Sequence, residues 1–213
     1  MSRITLFHSP QTRSSGALTL LEELGADFDV KILNMRAGEQ RQPDFQSVNP
    51  MGKVPAILDG DALITEQGAI YIYLADRFPA KGLAPPIGDP LRGPYLRWLV
   101  FYGSSFEPAV VDRAMKREPG SPALMPYGDY DTTLGTVVEQ LRRGPYLLGD
   151  RFSAADVLWG GALGWTMMFG VVPPWPEFKD YVERVTSRPA FVKVTQRDAE
   201  LVAEHEAALA KAS

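Results

Sequence analysis

With 213 residues, of which 45% are hydrophobic and 23% charged, the chain has an ordinary globular composition that argues against disorder, collagen-like repeats or a coiled-coil rod. Lys and Arg total 22 against 26 Asp and Glu; the net charge of −4 gives no global attraction to nucleic acid or to an anionic membrane. There is no cysteine, and only His8 and His205 represent histidine, so disulfides, a cysteine nucleophile and a multi-histidine metal centre fall away and any thiol chemistry arrives with a ligand. Ile4 to His8 reads as a short buried strand. Ser14 to Leu24 places Ala17, Leu18, Leu21 and Leu24 at helical spacing, with Gly25 as a stop. Asp27 to Leu33 alternates, with Phe28, Val30 and Ile32 on one side and Asp27, Asp29 and Lys31 on the other. The polar stretch from Arg36 to Asn49 reads as a loop with a short helix. Ala56-Ile57-Leu58 and Ala62-Leu63-Ile64 flank Asp59-Gly60-Asp61, which is hairpin chemistry. Gln67 to Phe78 returns to helix, with Ile70, Tyr73, Leu74 and Phe78 on one stripe. The order β-α-β-(α)-β-β-α is that of a small α/β module.

Composition then shifts. Pro79 to Pro94 holds five prolines and three glycines and marks a linker. Beyond it the segments Leu91 to Met115, Tyr130 to Arg143, Ala154 to Phe169, Glu177 to Ser187 and Ala190 to Ala210 all suit helices. Ser153 and Asp156 form a capping box for the third of them. The expected division is therefore an α/β domain over 1–79, a linker over 80–90 and an all-α domain over 91–213. Val157 to Pro176 is uncharged, but its glycines and terminal prolines leave about 16 helical residues, short of the ~20 a bilayer needs. The N-terminus has no signal-peptide pattern, so a cytoplasmic protein with no membrane partner is expected.

Three segments carry candidate chemistry. The first is Ser9-Pro10-Gln11-Thr12-Arg13-Ser14-Ser15, at the entry to the first helix. Thr12 or Ser14 suits a helix cap, and the hydroxyls and free N–H groups at the positive end of the helix dipole also suit an anion such as a thiolate. The second is Asn49-Pro50-Met51-Gly52-Lys53-Val54-Pro55. It reads as a turn before a strand; a cis Val54–Pro55 bond would turn the Val54 backbone outward, where an extended peptide pairs with it as an added strand. The third is Glu66-Gln67 at a helix start, where an acid favours the dipole or meets a ligand ammonium.

Together these segments, the proline-rich linker and the Phe-Ser-Ala-Ala-Asp motif at Phe152–Asp156 resemble the cytosolic glutathione transferases, bacterial, theta, zeta and beta types more than tyrosine-dependent ones. The resemblance spans essentially the whole chain. It implies a thioredoxin-like N-terminal domain (βαβαββα), a cis Pro55, an all-α C-terminal domain and a homodimer. It implies glutathione as co-substrate, with no metal and no nucleic acid. It places Thr12 at the sulfur, with Ser9, Ser14 and Ser15 as rivals, and Arg13, Lys53, Val54, Pro55, Glu66 and Gln67 on glutathione. No tyrosine lies in the first strand or its loop, Gln67 replaces the commoner serine, and Gly16 stands at a spot often basic.

The function implied is conversion of the glutathione thiol to a thiolate that attacks hydrophobic electrophiles, with peroxidase side activity. The alternatives are a non-catalytic binding module of the same fold and a glutathione-dependent isomerase. A thiol of pKa near 8.5 is only about 3% ionised at pH 7. One hydroxyl hydrogen bond worth roughly 1.5–3 kcal/mol lowers that pKa by about one to two units. A second pocket, expected between the domains, draws its candidates from Trp98, Phe101, Tyr102, Ser105, Phe106, Met115 and Trp165. Tyr102 and Phe106 are expected to be the exposed ones. His8 is expected to be structural, with support of the loop as the alternative, and Arg77 to be a helix-end cation or a dimer contact.

Overall fold

The computed structural model describes residues 3–118 and 120–212. It divides into two compact units: the described residues up to Leu74 together with those from Arg188 onward, and Ala75–Ser187. In the first unit β1 (Ile4–His8), β2 (Phe28–Ile32), β3 (Ala56–Asp59) and β4 (Ala62–Thr65) form one sheet in the order β2-β1-β3-β4. β1 and β2 are parallel, as a strand–helix–strand crossover requires, whereas β3 is antiparallel to both β1 and β4. This is the thioredoxin-like arrangement expected. Helix α1 (Arg13–Leu24) is capped by Thr12, whose side chain accepts the Ser14 N–H, and ends at Gly25 in the left-handed region (φ 56°). Its Ala17, Leu18, Leu21 and Leu24 are fully buried, as their spacing predicts. The polar stretch after β2 contains two 3-10 turns and a one-turn helix α2 (Pro43–Gln46), followed after β4 by α3 (Gln67–Arg77).

The second unit is helical: α4 (Arg92–Phe101), α5 (Glu107–Ala114), α6 (Tyr130–Leu141), α7 (Ala154–Met168) and α8 (Pro176–Thr186). A π-helical turn, Tyr102–Phe106, joins α4 to α5, with the Glu107 N–H bonded to the Tyr102 carbonyl. The capping box of Ser153 and Asp156 opens α7. No described helix is long and apolar enough to cross a membrane.

The last helix, α9 (Pro189–Ala212), groups by contact with the sheet unit. Phe191 and Val194 bury its apolar side there, while Arg188–Glu23 and Lys193–Glu22 pair it with α1, each at 2.7 Å. Tyr102 and Phe106, expected to be exposed, are 5% and 1% exposed. Their i, i+4 spacing with Trp98 puts all three rings on one face, packed around the fully buried Trp159 at centroid distances of 4.8–5.8 Å. Trp98 is buried with them; the exposed apolar residue of the expected set is Met115.

Candidate functional site

Sheet register brings the three candidate segments together. Phe7 pairs with Ala56, and Ala56 with Thr65, so these residues form one row across the sheet. β1 leaves this row upward into Ser9, β3 enters it from Pro55, and β4 leaves it into Glu66. All three loops therefore stand at the same end of the sheet. A 3.2 Å bond from Gln67 Nε2 to the Arg13 carbonyl ties the first segment to the third.

The 49–55 segment is held from below. Val54 packs its side chain with Phe7, Phe45 and Ala56, and Asn49 donates to the Lys53 carbonyl at 2.9 Å. The Val54–Pro55 peptide is cis. Among the described residues neither the N–H nor the C=O of Val54 has a hydrogen-bond partner, which leaves a donor and an acceptor for an extended ligand. Lys53 and Glu66 are exposed and form no ion pair among the described residues. Gln67 Oε1 is buried and makes no close hydrogen bond among the described residues. Glu66 (φ 64°) and Gln11 (φ 53°) are held in the left-handed region, a strain that side-chain-bearing residues keep only where their surroundings impose it.

The 9–15 loop is the opposite, a saturated hydroxyl network. Thr12 Oγ1 donates to the Ser9 carbonyl at 2.7 Å and lies 2.7 Å from Ser14 Oγ. Ser9 and Ser14 are buried at 3% and 0% exposure, whereas Thr12 and Ser15 are partly exposed. Of the four hydroxyls expected to compete for a sulfur, Ser14 is thus withdrawn from the surface and Ser15 is committed to Asp198. Thr12 stays partly exposed while it serves as the helix cap.

Beneath the loop lies a group that sequence reasoning missed. Asp198 of α9 accepts from His8 Nε2 at 3.0 Å, from the Gln11 N–H at 2.8 Å and from the Ser15 hydroxyl. Burial pushes its carboxyl up, but the bonds from His8, Ser15 and Gln11 outweigh burial and hold it below the usual carboxylate range. An acid 190 residues from His8, on a helix with many exposed charges, carries no signal in the sequence. His8 Nδ1 in turn lies 2.9 Å from Ser14 Oγ. Gly16 has a local reason: a Cβ there would overlap the hydroxyl of the buried Tyr71. Arg77 sits partly buried in the last turn of α3.

The chain is similar to known proteins over most of its length. Residues 2–76 match the family described as glutathione S-transferase, N-terminal domain, and residues 130–189 its C-terminal domain. Glutathione S-transferase 3 of Zea mays is 30% identical over 190 residues, covering 82% of this chain and 85% of that protein. The disulfide-bond oxidoreductase YfcG of Escherichia coli is 27% identical over 201 residues, 88% of this chain and 92% of that protein. Among solved structures, a glutathione transferase of Methylococcus capsulatus superposes with a TM-score of 0.77 at 32% identity, covering 92% of this chain and 98% of the other. A sphingomonad glutathione S-transferase complexed with glutathione superposes at 0.76, also at 32% identity and with the same coverage.

Proposed function

Because the chain belongs to the glutathione S-transferase family, we propose that it uses the candidate site to bind glutathione and hold its sulfur as a thiolate for attack on hydrophobic electrophiles. The observation that carries this reading is the row Phe7–Ala56–Thr65, which gathers the hydroxyl loop, the unpaired Val54 backbone and the unpaired Glu66 at one end of the sheet. The free donor and acceptor of Val54 suit the cysteinyl backbone of an extended tripeptide. Glu66 offers an anion to an ammonium, Gln67 and its helix N-terminus offer amides to the γ-glutamyl carboxylate, and Lys53 and Arg13 offer cations to carboxylates. Thr12 is the hydroxyl for the sulfur.

With no cysteine, this chain has no protein sulfur for a mixed disulfide, which favours direct attack by the glutathione thiolate over oxidoreductase chemistry on a protein thiol. By kinship the protein is taken as a cytoplasmic homodimer.

Titration of the thiolate absorbance at saturating glutathione tests the reading: bound thiol is expected to ionise about one to two pH units below free thiol. A protein that neither retains glutathione nor shifts that titration is not a transferase. Thr12→Ala is expected to lower kcat by about tenfold or more, the worth of one charged hydrogen bond. Full turnover in that variant moves the sulfur contact to Ser9, Ser14 or Ser15.

A further inference from the structure

Thiolate formation leaves one proton in need of a destination. From the accessible side of the 9–15 loop a chain of hydroxyls leads to a buried imidazole. Thr12 Oγ1 is 2.7 Å from Ser14 Oγ, Ser14 Oγ is 2.9 Å from His8 Nδ1, and His8 Nε2 is 3.0 Å from Asp198 Oδ1. Thr12 is partly exposed; Ser14 and His8 are both at 0%. One end of the chain meets a ligand, and the other is sealed from water.

Donor and acceptor roles follow from Asp198. A carboxylate accepts only, so His8 Nε2 carries the N–H that faces it, and the lone pair of a neutral ring falls on Nδ1. Ser14 then donates to Nδ1, and Thr12, whose single proton otherwise goes to the Ser9 carbonyl, turns it to Ser14 in the arrangement that carries the transfer, with its oxygen facing the ligand as an acceptor. The Ser9 N–H, 3.1 Å from Ser14 Oγ, donates whichever way the chain points. The Ser9 carbonyl, 2.7 Å from Thr12 Oγ1 and 3.0 Å from Ser14 Oγ, is the competing acceptor. Asp198 is the charged side chain within hydrogen-bonding reach of His8 among the described residues.

We propose that His8 and Asp198 are positioning residues that take up the thiol proton of bound glutathione through Ser14 and Thr12. The inference rests on glutathione being the ligand of this site. In the step, the S–H bond breaks and its proton bonds to Thr12 Oγ1, while the electron pair stays on sulfur. The former Thr12 proton moves to Ser14 Oγ, and the former Ser14 proton moves to His8 Nδ1. Thiol and imidazole become thiolate and imidazolium with no change in total charge and no proton lost to solvent. The hydrogen bonds from the sulfur to His8 Nδ1 reverse while Nε2–H still donates to Asp198, so Thr12 now donates to the sulfur anion and Asp198 faces a cation. A hydroxyl saturated by its own loop thereby becomes a donor at the moment the sulfur ionises.

Calorimetric titration with glutathione in buffers of different ionisation enthalpy counts protons released, and ultraviolet absorbance counts thiolate formed. The wild-type protein is expected to form thiolate while releasing well under one proton per site. His8→Gln and Ser14→Ala are each expected either to lose the thiolate band by about tenfold at neutral pH, one unit of thiol pKa, or to release a full proton for each thiolate formed. Glutathione affinity is expected to change by less than about threefold, well under one pKa unit of free energy, because both side chains are fully buried. Ser14→Ala removes a single buried oxygen and carries the test alone if His8→Gln does not fold. A full proton released by the wild-type protein overturns the inference, as does a wild-type band and proton count in both variants. A wild-type protein with no thiolate band at saturating glutathione removes the transferase reading and this inference together. A normal band with the wrong proton count removes only the inference.

Discussion

Each unit of the molecule has a buried aspartate at a helix, and the two are wired differently. In the helical unit Asp156 is at 0% exposure and accepts from the Leu147 N–H, the Ser153 N–H, the Ser153 hydroxyl and the Tyr181 hydroxyl, all at 2.8–2.9 Å. None of these donors is a cation. Burial therefore wins over the hydrogen bonds and pushes the carboxyl up to about 6. In the sheet unit Asp198 has a histidine ring among its donors and is held below the usual range. Around Asp156 the donors and acceptors close on one another. Above Asp198 the loop is equally closed, but the neighbouring segments present the Lys53 and Glu66 side chains and the Val54 backbone without partners among the described residues. Closed valences serve folding, and open ones wait for a ligand.

The largest expected effect breaks the closed hub. Asp156→Ala leaves four buried donors unpartnered and is expected to cost about 3–5 kcal/mol in urea unfolding, with less for Asp156→Asn, whose oxygen still accepts. The same residue sets a pH dependence. A raised carboxyl pKa means that the folded state holds the proton more tightly than the unfolded chain. Its stabilising contribution is complete below the unfolded value of 3.8 and is lost as pH rises through about 6, by roughly 3 kcal/mol in all. Asp198 has the opposite sign: its contribution is present above the unfolded value and is lost as pH falls through the lowered one. Urea midpoints of wild type and Asp156→Asn between pH 4 and pH 7 isolate the first contribution. An identical pH slope in both proteins would take the effect away from Asp156.

Open valences are expected to behave the other way. Glu66→Gln and Lys53→Ala each remove an exposed charge with no partner among the described residues. Stability is expected to stay within about 0.5 kcal/mol. Glutathione dissociation is expected to weaken about tenfold, or ~1.4 kcal/mol, read by equilibrium titration. A fall in stability with unchanged affinity would make these residues part of the fold and erase the contrast between the two regions.

What was legible in the sequence followed from local periodicity and turn chemistry. The alternation of Asp27 to Leu33 gave β2, Asp59-Gly60-Asp61 the hairpin, and Ser153 with Asp156 the α7 cap. Candidate loops could be named because each stands next to such an element, and their convergence follows once β3 is antiparallel to β1 and β4. Long-range choices were not legible. The last helix is amphipathic in either domain, and only its contacts with α1 and the sheet assign it, so Asp198 stayed hidden with it. Trp98, Tyr102 and Phe106 have the spacing of a helix face, but the spacing does not say whether that face meets Trp159 or a ligand.

Gly16 gives the smallest effect and the sharpest sign. It lies inside α1, where glycine in place of alanine costs about 1 kcal/mol of helix propensity. A Cβ at this position would overlap Tyr71 Oη, while the ring carbon that bears the hydroxyl stays 3.7 Å away, an ordinary contact. Tyr71 is fully buried, so its ring has no room to retreat, and its hydroxyl makes no close hydrogen bond, only a weak interaction with the neighbouring Gln67 side chain. This oxygen is a weakly held valence, buried beneath the site. Gly16→Ala alone is expected to lose about 1–2 kcal/mol to overpacking. Tyr71→Phe is expected to change stability by less than about 1 kcal/mol, since it removes a buried polar atom that only the Gln67 side chain holds weakly. In the Tyr71→Phe background the overlap is gone and only the propensity remains, so Gly16→Ala is expected to gain about 0.5–1 kcal/mol there. A double-mutant cycle in urea reads the reversal directly. If Gly16→Ala destabilises equally in both backgrounds, the obstacle is the α1 backbone, and the Tyr71 hydroxyl has no part in keeping position 16 a glycine.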